Sequence, residues 1–70
     1  MKAKEMFEEL GYESKEDETG VLFENYNRTI LFDKTIKAYI VYQNSMRSFY
    51  IYEQTQKAIQ QQLKELGWIE

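Results

Sequence analysis

The chain has 70 residues, of which 43% are hydrophobic, 16% aromatic and 30% charged, and its formal net charge is −3. This length supports only one small domain, since such a chain buries about 60% of the surface it exposes when unfolded. The apolar content is too high for a disordered chain, and the charged content excludes a membrane span. We therefore expect a single globular domain over residues 1–70, with no membrane as a partner.

The amino-acid composition limits the reactions that the chain could catalyse and the groups that it could bind. The sequence contains no cysteine and no histidine, which removes disulfides, thiolate catalysis, cysteine-based zinc sites and a proton shuttle near neutral pH. Its isolated glycines form no phosphate-binding loop. A carboxylate pair such as Glu24 and Asp33 could serve a glycosidase, but a chain this short seldom encloses the required cleft. We predict no enzyme activity, no cofactor, no metal and no catalytic residue.

The charge distribution argues against nucleic acid as a partner. The nine basic residues are scattered singly instead of clustering on one predicted element. The densest charge cluster, residues 16–18 (Glu-Asp-Glu), is typical of a solvated loop. An alternative function is an acidic inhibitor that occupies a nucleic-acid-binding site of a host or defence protein. That alternative requires residues 16–18 to join Glu24 and Asp33 in one negative patch.

The first predicted element is an amphipathic helix over residues 2–10. Its apolar residues are spaced as one helix face requires, at Ala3, Met6, Phe7 and Leu10. Gly11 can adopt the positive φ that ends a helix, which would return Tyr12 to Phe7. Charged residues interrupt any apolar run long enough for a signal peptide, so we expect a cytoplasmic location.

The middle of the chain is predicted to form strands. Residues 21–26, 29–33, 38–43 and 48–52 are rich in β-branched and aromatic side chains, and residues 12–15 could add a brief edge strand. The breaks between them are short, so neighbouring strands should pair antiparallel in a meander.

The pattern also suggests a strand register. With Asp33 opposite Ala38, one face of the sheet receives Ile30, Phe32, Tyr39 and Val41. A turn at residues 44–46 would then bring Ile51 opposite Tyr39. A slip of one residue would exchange the two faces of the sheet.

The last predicted element is a second amphipathic helix that carries Ile59, Leu63 and Leu66 on one face. Gly67 would end it and Trp68 would return to Leu63, so "ELGY" and "ELGW" are interpreted as two copies of one helix ending. Each helix has a single apolar stripe, and both should cover the same side of the sheet. The fold class is therefore predicted as α+β, a two-layer α-β-β-β(-β)-α arrangement.

The side of the sheet left uncovered is unusually apolar in this prediction. Its candidate interface residues are Leu22, Leu31, Ile40, Tyr42, Tyr50 and Tyr52. Tyrosine combines a large apolar area with a polar tip, which suits it either to a solvated sheet face or to an interface. Stacking of RNA bases on these rings would need basic neighbours that the acidic chain lacks. We favour a protein-binding surface, for another protein or for a second copy in a homodimer.

Several short motifs add a resemblance. The chain has "LGYE" near its start, "ILFDK" in its centre, and "KAI" followed by "KELGWIE" at its end. In these it resembles small uncharacterised proteins encoded by phages, prophages and other mobile elements of low-GC Gram-positive bacteria. The resemblance implies a helix, a small antiparallel sheet, a closing helix that ends in Leu-Gly-Trp, and a cytoplasmic accessory role with no transferable site residue. Residues 52–55 depart from the Thr-x-Glu-Glu helix start of that group, which leaves the start of the last helix open.

Overall fold

A computed structural model describes residues 1–43 and 50–69 of the chain. In chain order its elements are α1 (Ala3–Glu9), β1 (Glu13–Glu16), β2 (Gly20–Glu24), β3 (Arg28–Asp33), β4 (Ala38–Gln43) and α2 (Glu53–Glu65). The strands form one antiparallel sheet in the order β1-β2-β3-β4. The predicted α+β class and meander are confirmed.

The strand register separates the side chains of the sheet into two faces. Asp33 lies opposite Ala38, and the predicted pairs of Phe32 with Tyr39 and of Ile30 with Val41 are present. One side of the sheet carries four buried side chains, those of Val21, Phe23, Ile30 and Phe32. We call this side the core face. Asp33, the next residue along β3, lies on the other side.

Both helices pack on the core face. The ring of Phe7 in α1 stacks on Phe23 with a centroid distance of 4.0 Å. The indole of Trp68, just after α2, lies 6.4 Å from the ring of Phe32. Ile59 of α2 belongs to the same buried cluster. The helices therefore cover one side of the sheet, as their single apolar stripes predicted.

The two helices end alike, as the repeated "ELG" predicted. Gly11 has a φ of 90° and Gly67 a φ of 75°. The amide of Tyr12 donates to the carbonyl of Phe7, and the amide of Trp68 donates to that of Leu63, both at 3.0 Å. Only glycine adopts such a φ without cost, so each glycine ends its helix and returns an aromatic residue to it.

One side chain ties the end of α2 to the start of α1. The amide of Ala3 donates to the Glu65 carboxylate at 2.7 Å, and the Gln61 side chain donates to the same oxygen at 3.0 Å. The first amides of a helix have no partner within it, so Glu65 satisfies one that α1 leaves open.

Neither helix of the described ranges combines the length and apolar content needed to cross a membrane.

The region before α2 differs from the prediction. Residues 50–52 are not in a strand, so the predicted strand over residues 48–52 is wrong for that part, as is the pairing of Ile51 with Tyr39. Residues 48 and 49 lie outside the described residues. The helix begins at Glu53, and the amide of Gln56 already donates to the Tyr52 carbonyl at 2.9 Å. The brief edge strand is present as β1.

Candidate interaction surface

Four of the six predicted interface residues lie together on the side of the sheet away from the helices. Leu31 is directly opposite both Leu22 and Ile40, which makes a row of aliphatic side chains across three strands. Tyr42 is two residues along β4 from Ile40 and therefore shares its face. We call these four residues, Leu22, Leu31, Ile40 and Tyr42, the outer face.

Exposure increases across the outer face toward β4. Leu22 and Leu31 are half-buried, whereas Ile40 is 54% exposed and Tyr42 46% exposed. Thr29, which the sequence did not single out, lies directly opposite Tyr42 and is buried. Its alternation with Leu31 along β3 was the signal that could have placed it on this face.

The other two candidates, Tyr50 and Tyr52, lie outside the sheet. Both side chains are exposed, and their rings are 6.4 Å apart in a tilted arrangement. Tyr52 directly precedes α2, where its carbonyl accepts the helical hydrogen bond described above. The structure therefore does not join these two residues to the outer face, because the segment that carries them leads into a helix instead of a strand.

The outer face has a charged side and an uncharged side. Next to β2, Lys15 lies opposite Leu22, and its ammonium is 3.5 Å from the Glu24 carboxylate. The opposite margin is β4, whose six residues Ala-Tyr-Ile-Val-Tyr-Gln include no charge. An exposed ion pair such as that of Lys15 adds little stability but keeps its margin hydrated. Only the β4 side is suited to being covered by apolar atoms.

The outer edge of β4 is open in the part of the chain that the structure describes, where this strand pairs only with β3. The amide of Asn25 donates to the Arg28 carbonyl and that of Lys34 to the Thr19 carbonyl, so the backbone groups of even-numbered β3 residues are hydrogen-bonded to β2. Odd-numbered β3 residues are therefore hydrogen-bonded to β4, where their partners include Ile40 and Tyr42. The backbone groups of Tyr39 and Val41 consequently point away from the sheet. The sequence prediction placed a further strand, residues 48–52, beside this edge, and the described residues 50–52 of it do not pair there.

The acidic cluster in the turn between β1 and β2 is engaged locally. The Asp17 carboxylate accepts hydrogen bonds from the Thr19 hydroxyl at 2.6 Å, from the Thr19 amide at 2.8 Å and from the Gly20 amide at 3.1 Å. These bonds, the hydroxyl first, hold the pKa of Asp17 below its ordinary value of 3.8. Glu16 forms a 3.0 Å ion pair with Lys34. Asp17 therefore organises the turn, and Lys34 balances the charge of Glu16.

Four of the five acidic residues of the inhibitor alternative lie at one end of β2, and Glu24 lies at the other. Asp33 is opposite Gly20, next to the turn that carries residues 16–18, whereas Glu24 is roughly 13 Å away along the strand. The Asp33 carboxylate also accepts the Thr35 amide at 2.9 Å in the next turn. Among the described residues, Glu24 is therefore separated from the acidic residues that the inhibitor alternative expected it to join.

The surface also has shallow depressions, some of which are lined by polar side chains. One, of about 370 Å³, is lined by Gly11, Glu13, Glu24, Asn25 and Tyr26. The Asn25 side-chain oxygen there already accepts the amides of Asn27 and Arg28, at 2.9 and 2.8 Å. Among the described residues, no three carboxylates come together as metal ligands.

No known protein family, curated protein or solved structure matches the chain.

Proposed function

We propose that the protein is a non-enzymatic protein–protein interaction module and that the outer face is its docking surface. The observation that carries the proposal is the aliphatic row of Leu22, Leu31 and Ile40, which lies on the side of the sheet away from both helices. Exposed apolar patches with a polar margin are typical of binding surfaces. Tyr42, two residues along β4 from Ile40, adds an aromatic side chain of the kind that anchors interfaces.

The size of this patch sets its affinity range. Covering the exposed parts of these side chains would bury about 300 Å², which contributes roughly 7 kcal/mol at about 25 cal/mol per Å². Association costs about 4–15 kcal/mol in lost freedom of motion. The outer face alone therefore supports a weak complex at most, and a stable one must recruit further contacts beside it.

The biological setting belongs to the same proposal. The resemblance in residues 10–13, 30–34 and 64–70 supports a cytoplasmic accessory protein of phage or mobile-element origin. An acidic inhibitor of a nucleic-acid site is not favoured, because Glu16 and Glu24 each lie beside a lysine and at different ends of the sheet.

The proposal is tested by affinity capture from a low-GC Gram-positive host with the immobilised chain, followed by purification of the captured protein and measurement of its binding. A variant that combines Ile40→Glu with Tyr42→Glu should bind at least about tenfold more weakly, because two anchor side chains become charged. Ile36→Glu is the matched control, since Ile36 is 69% exposed but lies in the turn between β3 and β4.

We expect the control to bind within about twofold of the unmodified chain, because it leaves the outer face intact. Circular dichroism of each variant verifies that the domain is folded. If the double variant binds as tightly as the unmodified chain, the outer face does not take part in binding the captured protein.

A further inference from the structure

We infer that a second copy of this chain docks on the β4 edge, pairing strand against strand around a two-fold axis between the two Ile40 residues. The two four-stranded sheets then become one continuous sheet. This inference rests on the proposed function of a protein-binding module, and it adds a self-contact at the β4 edge, beside the outer face.

The two edges of the sheet differ in how they deter pairing. In β1, three of four residues are charged, namely Glu13, Lys15 and Glu16. Charged side chains on an edge strand oppose strand addition. In β4 there is no charge and no proline, and its β-branched and aromatic residues favour the extended state. Of the two edges, β4 is the one that accepts another strand.

The backbone of β4 is complementary to itself. Tyr39 and Val41 direct their amides and carbonyls away from β3, and an antiparallel copy centred on Ile40 brings Tyr39 of one chain opposite Val41 of the other. Each such pair exchanges two hydrogen bonds, so the junction forms roughly four. The two-fold symmetry makes the contact closed, with the same surface used on both copies.

The side chains match in the same register. On the outer face, Ile40 meets Ile40 of the second copy, and Ala38 lies opposite Tyr42 of the second copy. The small Ala38, exposed at the start of β4, leaves room for the larger ring. On the other side, Tyr39 already stacks on Phe32 with a centroid distance of 5.4 Å, and its free flank would meet Val41. Both sides of the junction are therefore apolar.

The net charge of −3 is not concentrated at this contact. β4 carries no charge. The two charged residues of β3 that pair with β4 are Arg28 and Asp33, which have opposite signs and lie opposite its two ends, Gln43 and Ala38. An extended segment of an unrelated protein could use the same edge, but β4 itself supplies the complementary uncharged strand at equal concentration.

The area of the junction between the two copies limits the affinity of the dimer. A junction of five residues per strand covers a few hundred Å² per copy, which is less than the roughly 800 Å² per partner of a stable complex. We therefore expect a dimer that forms in the micromolar range or above and dissociates on dilution. Dimerisation would also join two outer faces across Ile40, which enlarges the surface presented to a further partner.

The absence of cysteine allows a clean cross-linking test with Ile40→Cys in the full chain. Ile40 faces itself in a pair whose Cα atoms are about 4.5 Å apart, within the range that a disulfide spans. Pairing raises the effective concentration of the two thiols, so oxidation should form covalent dimer roughly tenfold faster than in the control Lys15→Cys. Lys15 is exposed on the same side of the sheet but at the opposite edge.

Analytical ultracentrifugation of the unmodified chain provides the second readout and does not depend on any variant. The sedimentation coefficient should rise toward that of a dimer as the concentration increases from about 10 µM to about 1 mM. Cross-linking of Ile40→Cys no faster than Lys15→Cys, or a monomer at every concentration, would overturn the inference. The capture experiment above reads binding to a different protein, so the failure of one proposal is distinguishable from the failure of the other.

Discussion

Ile30 and Ile40 allow the same substitution to be made on the two sides of the sheet. Both lie in strands of the same antiparallel pair, but Ile30 is fully buried beneath the helices whereas Ile40 is 54% exposed. We expect Ile30→Ala to destabilise the domain far more than Ile40→Ala. The comparison isolates burial, because the atoms removed are identical.

The expected magnitudes are well separated. Truncating a fully buried isoleucine costs about 2–5 kcal/mol, from lost burial and from the cavity left behind. At about 0.05–0.15 kcal/mol per residue, the whole domain has roughly 4–10 kcal/mol of stability. Fully burying an isoleucine contributes about 1.5–3 kcal/mol, and Ile40 is less than half buried, so its truncation should cost about 1 kcal/mol.

Urea denaturation followed by the fluorescence of Trp68 measures both values, since this is the only tryptophan and it lies against the core face. The protein is kept at low micromolar concentration so that self-association does not contribute. If Ile30→Ala is unfolded in buffer, Ile30→Val and Ile40→Val give the same comparison at about 0.5–1.5 kcal/mol and near zero. Equal losses at the two positions would mean that the assignment of covered and uncovered sides is mistaken.

Three further predictions concern the ends and turns of the elements. Gly67→Ala should cost about 1–2 kcal/mol and lower Tm by at least about 4 °C in a thermal scan, because Gly67 has a φ of 75° and the added Cβ meets no atom within 4 Å to offset the strain. An unchanged Tm would mean that α2 ends differently. Glu65→Ala should cost about 1 kcal/mol in urea, since the Ala3 amide loses its acceptor, and Gln61→Ala, which leaves that bond in place, should cost less. The pKa of Asp17 is lowered in the folded chain, so its ionised form stabilises the fold above pH 3.8 and this contribution is lost as the pH falls below that value. The urea midpoint should therefore fall more steeply between about pH 5 and pH 2 in the unmodified chain than in Asp17→Asn, and parallel curves would contradict the assignment.

The parts of the fold that follow from local stereochemistry were predictable. A glycine after a helical turn has few alternatives to ending it, which is why Gly11 and Gly67 were assigned correctly. The register of β3 and β4 followed from the alternation of apolar residues around a short turn. Both features are determined by residues close together in the sequence, so they can be predicted from one sequence without an alignment.

The start of α2 depended on contacts that the hydrophobic pattern does not report. The buried face of its first turns includes Thr55 as well as Ala58 and Ile59, so a polar residue occupies a core position. The tyrosines just before it favour a strand by propensity, and the packed helix overrides that preference at Glu53. The consequence for the site is direct, because a strand at residues 50–52 would have extended the apolar face away from β4.

The short strand β1 was also only weakly indicated by the sequence. Its sequence Glu-Ser-Lys-Glu has no apolar alternation, and it joins the sheet through its backbone pairing with β2. Such a strand serves as a protected edge, which charged side chains make unattractive to other strands. Its presence leaves β4 as the contrasting edge.

Amide hydrogen exchange along β4, followed residue by residue at two protein concentrations, tests the central claim most directly. At a concentration at which ultracentrifugation finds the monomer, the amides of Ile40 and Tyr42, which are hydrogen-bonded to β3, should exchange slowly, and those of Tyr39 and Val41 should exchange quickly. At about 1 mM the amides of Tyr39 and Val41 should become protected as a second copy pairs with the edge. Protection of those two amides at both concentrations would mean that the chain covers its own edge, and rapid exchange at both would mean that no copy binds there.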